Sequence, residues 1–163
     1  MNEPGTIAKI LKESKSIAVV GLSDKPERAS YGVASYLMAQ GYKIIPVNPV
    51  ITEWKGLKSY PDLGSIPEKM DVVDIFRRSE FVMPIVKEAI ALGAKAVWMQ
   101  DGVIYEKAAE RAEKAGLLVV MDRCMMKEHK KNEMKVDFVR PKKTGAQLSG
   151  VPDNGPIVRS VGQ

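Results

Sequence analysis

Ser16-Ile17-Ala18-Val19-Val20-Gly21-Leu22-Ser23-Asp24-Lys25-Pro26-Glu27-Arg28 passes from an apolar run into a polar loop, and an amphipathic stretch over residues 30–40 follows it. The run has the pattern of a buried strand, the loop that of a turn, and the stretch beyond it that of a helix. A strand, turn and helix start in that order aim backbone N–H groups and the positive end of a helix dipole at one point, where an anion such as a pyrophosphate can sit. Lys25 and Arg28 add two cationic side chains, so the loop reads as a nucleotide-phosphate cradle.

The glycine spacing narrows the nucleotide. A dinucleotide fingerprint would read G-x-G-x-x-G, whereas this chain has Gly21, then Ser23, and no further glycine until Gly32. There is no Walker A loop. A classical NAD site also carries an acid after the next strand to bind the ribose hydroxyls. Here that position reads Tyr42-Lys43-Ile44-Ile45-Pro46-Val47-Asn48-Pro49, with no acid, which favours a ligand with an additional phosphate over NAD.

Outward from this junction the pattern repeats. A first helix is predicted over residues 3–14, where Ile7, Ile10 and Leu11 recur at helical spacing. Strands are predicted at 17–21, 43–47, 72–76, 96–99 and 117–121, with helices at 31–40, 80–92 and 105–115 between them. Gly41, Gly93 and Gly116 stand where those three helices should stop. Near-continuous apolar strands alternating with amphipathic helices imply a parallel sheet covered on both faces. The expected fold is therefore α/β: a doubly wound, Rossmann-like parallel sheet in a single domain of five to six strands. The sixth would be a short strand at 57–60, edging the sheet beside the second strand. Residues 1–131 form the domain on this reading, and 132–163, with three prolines and no sustained periodicity, form an irregular or disordered tail. Within that tail Val136-Asp137-Phe138-Val139 is patterned for a short strand or for docking on the core.

Composition bounds the function. The 163 residues carry a formal charge of +5, which suits polyanionic partners in general. The aromatic and basic residues are not interleaved as in single-strand binders, so a nucleic-acid partner is not expected. No apolar run approaches the roughly 20 residues that span a bilayer, and there is no signal pattern; no membrane association and a cytoplasmic location are expected. Cys124 is the only cysteine and His129 the only histidine, too few for a metal site of three or four ligands or for a Ser-His-Asp triad in that basic segment.

In an open parallel sheet, ligands bind beyond the C-terminal strand ends, where strand order reverses. Those ends here are Gly21-Leu22-Ser23, Val47-Asn48-Pro49, Phe76-Arg77-Arg78 and Met99-Gln100-Asp101-Gly102. The edge gathers Lys25, Arg28, Arg77 and Arg78 against Asp24 and Asp101. Glu80 and Asp74 are candidate ion-pair partners for Arg77 and Arg78, and Phe76 is placed to serve both the core and an adenine face. Cys124 lies just past the last strand on the same edge, a position that gives a mixed disulfide with a thiol ligand as a further reading.

Five motifs in order resemble the small CoA-binding protein family, itself similar to the CoA-binding domain of the succinyl-CoA synthetase α subunit. They are the quoted stretch from Ile17 to Arg28, Ile45-Pro46-Val47-Asn48-Pro49, Asp71-Val72-Val73-Asp74-Ile75-Phe76-Arg77-Arg78, Trp98-Met99-Gln100 with Gly102-Val103, and Val119-Val120-Met121-Asp122-Arg123-Cys124. The resemblance covers about residues 7–129. It implies a domain that holds coenzyme A or an acyl-CoA across the strand-end edge. Gly21, Leu22, Ser23, Lys25, Arg28 and the helix start at Ser30 would take the phosphates; Val47, Asn48 and Pro49 would line the nucleotide; Phe76, Arg77 and Arg78 would flank the adenosine and its ribose phosphate. Tyr105 departs from the pattern, standing where many relatives have Asn. The ligase chemistry of larger relatives needs a phosphorylated histidine in a glycine-rich setting, which His129 among lysines does not have, so the resemblance implies binding without catalysis. An orphan acyl-CoA synthetase subunit, or an NAD(P)-binding redox protein, stays open beside it, as does a protein partner or a second copy of the chain.

Overall fold

The computed structural model describes residues 1–139, with side chains to residue 134. The chain divides into two units, Met1–Glu128 and His129–Gln163, and the sheet and its cavities belong to the first.

Helix α1 (Pro4–Glu13) opens with proline at a first-turn position, where a missing N–H leaves no intrahelical bond unmade, and buries Ile7, Ile10 and Leu11. Then come β1 (Ser16–Val20), α2 (Ala29–Ala39) and β2 (Lys43–Val47). Two short strands, β3 (Glu53–Trp54) and β4 (Leu57–Lys58), pair antiparallel around Lys55 and Gly56. Beyond them lie β5 (Val72–Ile75), α3 (Val82–Ala91), β6 (Ala96–Met99), α4 (Glu106–Lys114), β7 (Leu118–Val120) and α5 (Met125–Val139). Gly41, Gly93 and Gly116 have φ of 101°, 77° and 92°, the left-handed conformation that ends α2, α3 and α4. No helix among the described residues is long and apolar enough to cross a membrane.

The five long strands form one parallel sheet in the order β2-β1-β5-β6-β7. The fold is thus the Rossmann-like α/β sandwich expected from the sequence. On one face, Ile10 of α1 and Val33 and Leu37 of α2 pack against Ile17, Val19 and Trp98. On the other, Val86 of α3 and Ala109 and Ala112 of α4 pack against Ala18, Val73 and Val97. The chain leaves β1 for β2 on one side and crosses back to β5 on the other, so strand order reverses between β1 and β5, where a crevice opens. Val20 is in register with both Val47 and Ile75, and Ile75 with Met99. The next residues, Gly21, Asn48, Phe76 and Gln100, therefore stand in one row along the sheet's C-terminal edge.

Two expectations are corrected. Residues 57–60 do not add an edge strand to the main sheet: Leu57–Lys58 belongs to the small hairpin, and only Tyr60 meets β2, through a parallel bridge to Val47. The hairpin was hidden because its turn needs positive φ at both central residues, and Lys55 (φ 49°) is an uncommon occupant of such a site. Residues 132–139, expected as the start of an irregular tail, continue α5, and Val136 to Val139 is helix rather than strand. The helix begins in the Met-, Lys- and Glu-rich run of residues 125–134, but 136–139 read Val-Asp-Phe-Val, weak helix formers without apolar helical periodicity, which is why the pattern conceals its continuation. Residues 140–163 of the expected tail lie outside the described residues.

Candidate functional site

The crevice at the β1/β5 reversal holds a cavity of about 600 Å³. Of the residues singled out in the sequence, Gly21, Arg28, Val47, Asn48, Pro49, Phe76, Arg77 and Arg78 all line it. They come from three chain segments and meet because the strand ends are level. Gly21 makes the meeting possible. Its N–H donates to Val47 O at 2.8 Å, its φ is 87°, and a Cβ there would lie 2.6 Å from Phe76 O and 3.1 Å from Arg77 Cδ.

The other four candidates shape the loop instead of lining the cavity. Leu22 is fully buried in the core. Ser30, one residue into α2, turns its Oγ to accept from Ser23 N at 2.9 Å, and Ser23 Oγ accepts in turn from Lys25 N at 3.1 Å. The Lys25 side chain is exposed. The N-cap position of α2 is Arg28, with no side-chain cap, so the dipole end of the helix is left open beside an arginine.

Asn48 is held by both ends of its amide. Its Nδ2 donates to Leu22 O at 2.9 Å and its Oδ1 accepts from Val50 N at 2.9 Å, tying the β1 and β2 loops together. N48A is expected to lower stability by about 1–2 kcal/mol, measured by urea unfolding, because both backbone partners lose their bond.

Sequence reading missed the far wall. Val50 from the loop after β2, Pro61, Asp62 and Leu63 from the segment after β4, Phe81 at the N-cap of α3, and Ile85 and Glu88 within that helix form it. Asp62 and Glu88 make the site less one-sidedly cationic than expected, but both carboxylates are engaged: Asp62 Oδ1 accepts from Ser65 N at 2.9 Å and Glu88 Oε2 from Gly64 N at 3.2 Å. The one usable signal was Asp62-x-x-Ser65, a capping pattern that fixes a 3-10 turn at Leu63–Ser65.

Arg77 and Arg78 form no ion pair among the described residues, contrary to the partners considered above. Arg77 instead places its guanidinium over the Phe81 ring, 4.8 Å from the centroid. Asp74 is fully buried in β5, with Gln100 Nε2 donating to its Oδ1 at 2.6 Å, while its Oδ2 has no partner. Burial pushes the Asp74 carboxyl up to about 7, against the smaller opposing effect of the Gln100 hydrogen bond.

A second cavity of about 220 Å³ lies on the α2 side of the same edge, lined by Ala29, Val33, Phe76, Arg77, Gln100, Asp101, Val103 and the buried Cys124. Phe76 and Arg77 are common to both cavities. The chain segments that carry Gln100, Asp101, Val103 and Cys124 are tied together next to these residues: Gly102 N donates to Asp122 Oδ1 at 2.8 Å, and Trp98 Nε1 donates to Arg123 O at 2.9 Å. Tyr105 holds the N-cap position of α4 without a side-chain cap, a place where Asn would satisfy a free N–H. Among the described residues no group of three or more His, Cys, Asp or Glu could hold a metal ion.

Comparison with known proteins places this geometry. The chain is 42% identical over 123 residues to the Bacillus subtilis protein YneT, covering 76% of this chain and 91% of that one. It is 30% identical over 122 residues to the acetate–CoA ligase (ADP-forming) II subunit alpha of Pyrococcus furiosus, covering 68% of this chain but only 27% of the ligase subunit. Among solved structures, a hypothetical protein from Pyrococcus horikoshii OT3 superposes with a TM-score of 0.76 at 43% identity, over 79% of this chain and 91% of that one. Residues 15–130, which carry the whole sheet and both strand-end cavities, match the CoA binding domain, and the chain belongs to that family.

Proposed function

We propose that this protein binds coenzyme A or an acyl-CoA across its strand-end edge and does so without catalysing a reaction of its own. The observation that carries this reading is the 600 Å³ cavity at the β1/β5 reversal, where Arg28, Arg77 and Arg78 converge beside the open N-terminus of α2. Three cations and free backbone donors suit the diphosphate and ribose phosphate of CoA. The nucleotide occupies the larger cavity, and the pantetheine arm crosses the wall shared by Phe76 and Arg77 into the smaller, more apolar one. Membership of the CoA binding domain family supports the ligand class. Gly21, Leu22, Ser23, Lys25 and Ser30 set the course of the phosphate loop, and Val47, Asn48 and Pro49 bound the nucleotide.

Calorimetric titration with CoA, dephospho-CoA, NAD, NADP and ATP tests this. CoA is expected to bind selectively, and R28A or R77A to weaken it about 10- to 100-fold, the worth of one lost charge-assisted contact. The residue that meets the ribose phosphate is identified by a larger loss for CoA than for dephospho-CoA. Selective NAD(P) binding would overturn the reading in favour of a redox protein.

The likeness to an acetate–CoA ligase subunit favours one second reading: a domain that works beside separate ligase chains. ADP-forming ligation by this chain with such a partner, absent for either alone, would establish it.

A further inference from the structure

Asp74 lies in the middle of a central strand, on the face packed against α1 and α2, where its neighbours in register are Val19 and Trp98. Gln100 is two residues beyond Trp98 on the adjacent strand line, so it shares that face and meets Asp74 diagonally. The pair is closed off on one side and open on the other. Asp74 is fully buried, with one oxygen bonded to Gln100 and the other without a partner, whereas Gln100 lines the 220 Å³ cavity. Among the described residues no protein group donates to Gln100 Oε1, which leaves that oxygen to the cavity.

A separation of 2.6 Å serves two arrangements equally. A carboxylate accepts from Gln100 Nε2; a carboxylic acid donates its O–H to Gln100 Oε1, with the amide turned over. We infer that the protonation state of Asp74 selects which end of the Gln100 carboxamide faces the strand-end cavity, an acceptor oxygen when Asp74 is ionised and a donor N–H when it is neutral. Only a proton and a rotation about the last side-chain bond are exchanged; no backbone moves.

The environment holds the two forms close in energy. Burial raises the carboxyl to about 7, and no cation or second carboxylate acts on it. The charged or titratable groups on the elements around it are Arg77 after β5, Asp101 after β6, Cys124 after β7, Glu128 and His129 on α5, and Arg28 at the N-cap of α2 with Tyr31 and Tyr36 along it, and none of them shifts the Asp74 carboxyl. Asp101 is occupied by Lys127 at 3.4 Å, while α2 and β1 contribute the apolar Val33 and Val19. An ionised carboxylate with one orphaned oxygen is costly in such a place, and the Gln100 bond is what keeps the ionised form within reach.

Resting on the CoA reading, the inference gives the smaller cavity a pH-dependent preference at the reactive end of the ligand. A donor N–H suits the carbonyl oxygen of an acyl thioester; an acceptor oxygen suits the free thiol. Acetyl-CoA is therefore favoured relative to CoA on the acid side of neutrality and disfavoured on the alkaline side.

The test begins without ligand. NMR of the full chain from about pH 5 to about pH 9 should show the Asp74 carboxyl carbon and the Gln100 side-chain amide titrating together. An Asp74 that titrates while the Gln100 amide stays still, or one that does not titrate in this window, overturns the inference whatever the ligand is. Affinities of CoA and acetyl-CoA are then measured at both ends of the range. The ratio is expected to change about five-fold, one hydrogen bond's worth, in the wild-type chain and to be flat in D74N. A ratio equally pH-dependent in D74N also overturns it. Failure of both compounds to bind, with the coupled titration intact, sinks the CoA reading and leaves the switch standing.

Discussion

G21A is expected to lower stability by about 2–5 kcal/mol, more than any other alanine replacement at a glycine of this sheet edge. Two separate costs meet at this residue. A side chain at φ 87° is strained by about 1–2 kcal/mol wherever it occurs. In addition, the new methyl would sit 2.6 Å from the Phe76 carbonyl oxygen, a backbone atom that cannot swing aside as a flexible side chain would. Overpacking of that kind costs a further 1–3 kcal/mol or so. Gly41 separates the two, since its φ is 101° but nothing lies within 4 Å of its would-be Cβ. G41A therefore reports the strain alone, and the difference between the variants in urea unfolding reports the close approach. If G21A proves no more destabilising than G41A, the crevice is not built on contact between the ends of β1 and β5. The functional consequence follows from the same atoms: any relief of the clash moves Phe76 and the Arg77 stem, the wall that both cavities share, so CoA affinity should fall with stability.

That close approach also explains how far the sequence could be read. The β1-loop-α2 junction, the alternation of strands and helices, and the placement of Asn48, Phe76 and Arg77 on one edge followed from local patterns and from the rule that parallel strands end level. What the patterns could not supply was the opposite wall. Phe81, Ile85 and Glu88 look like ordinary positions on an amphipathic helix, and only the crossover that lays α3 over this end of the sheet turns them toward the crevice. Leu22 and Ser30 sit inside the phosphate-loop motif, yet the fold spends one on the core and the other on bracing Ser23. The hairpin at Lys55 and Gly56 and the helical course of residues 132–139 were concealed for local reasons, an unusual turn residue and a weak apolar period. Asp74 is the clearest case. In the sequence it is an acid near two arginines, with an ion pair as one reading; in the structure the alternation of β5 turns it to the face covered by α1 and α2, where its partner is a neutral amide.

That burial has a thermodynamic signature of opposite sign to most acids. Asp71, by contrast, is held below the usual carboxylate range: burial raises it, but the N–H groups of Lys15 and Ser16 and the Lys95 ammonium outweigh that effect. Its contribution is present at neutral pH and lost in acid. For Asp74 the folded chain holds its proton up to about 7, whereas the unfolded chain releases it near 3.8. Between those values the folded state binds more protons, so this group's contribution to stability falls as pH rises through the window. At about 1.36 kcal/mol per pH unit, the full span corresponds to roughly 4 kcal/mol as an upper figure. D74N keeps the shape and a hydrogen-bonding group for Gln100 but carries no ionisable proton. Subtracting the unfolding free energies of the two proteins at each pH cancels every other titrating group. The difference should move in favour of D74N by about 2–4 kcal/mol from pH 4 to pH 8 and be level above that. Parallel curves would mean that Asp74 keeps an ordinary carboxylate pKa in the folded chain, and the amide of Gln100 would then present one face at every pH. The subtraction thus measures how much stability the ionised form of this buried acid costs the folded chain at neutral pH.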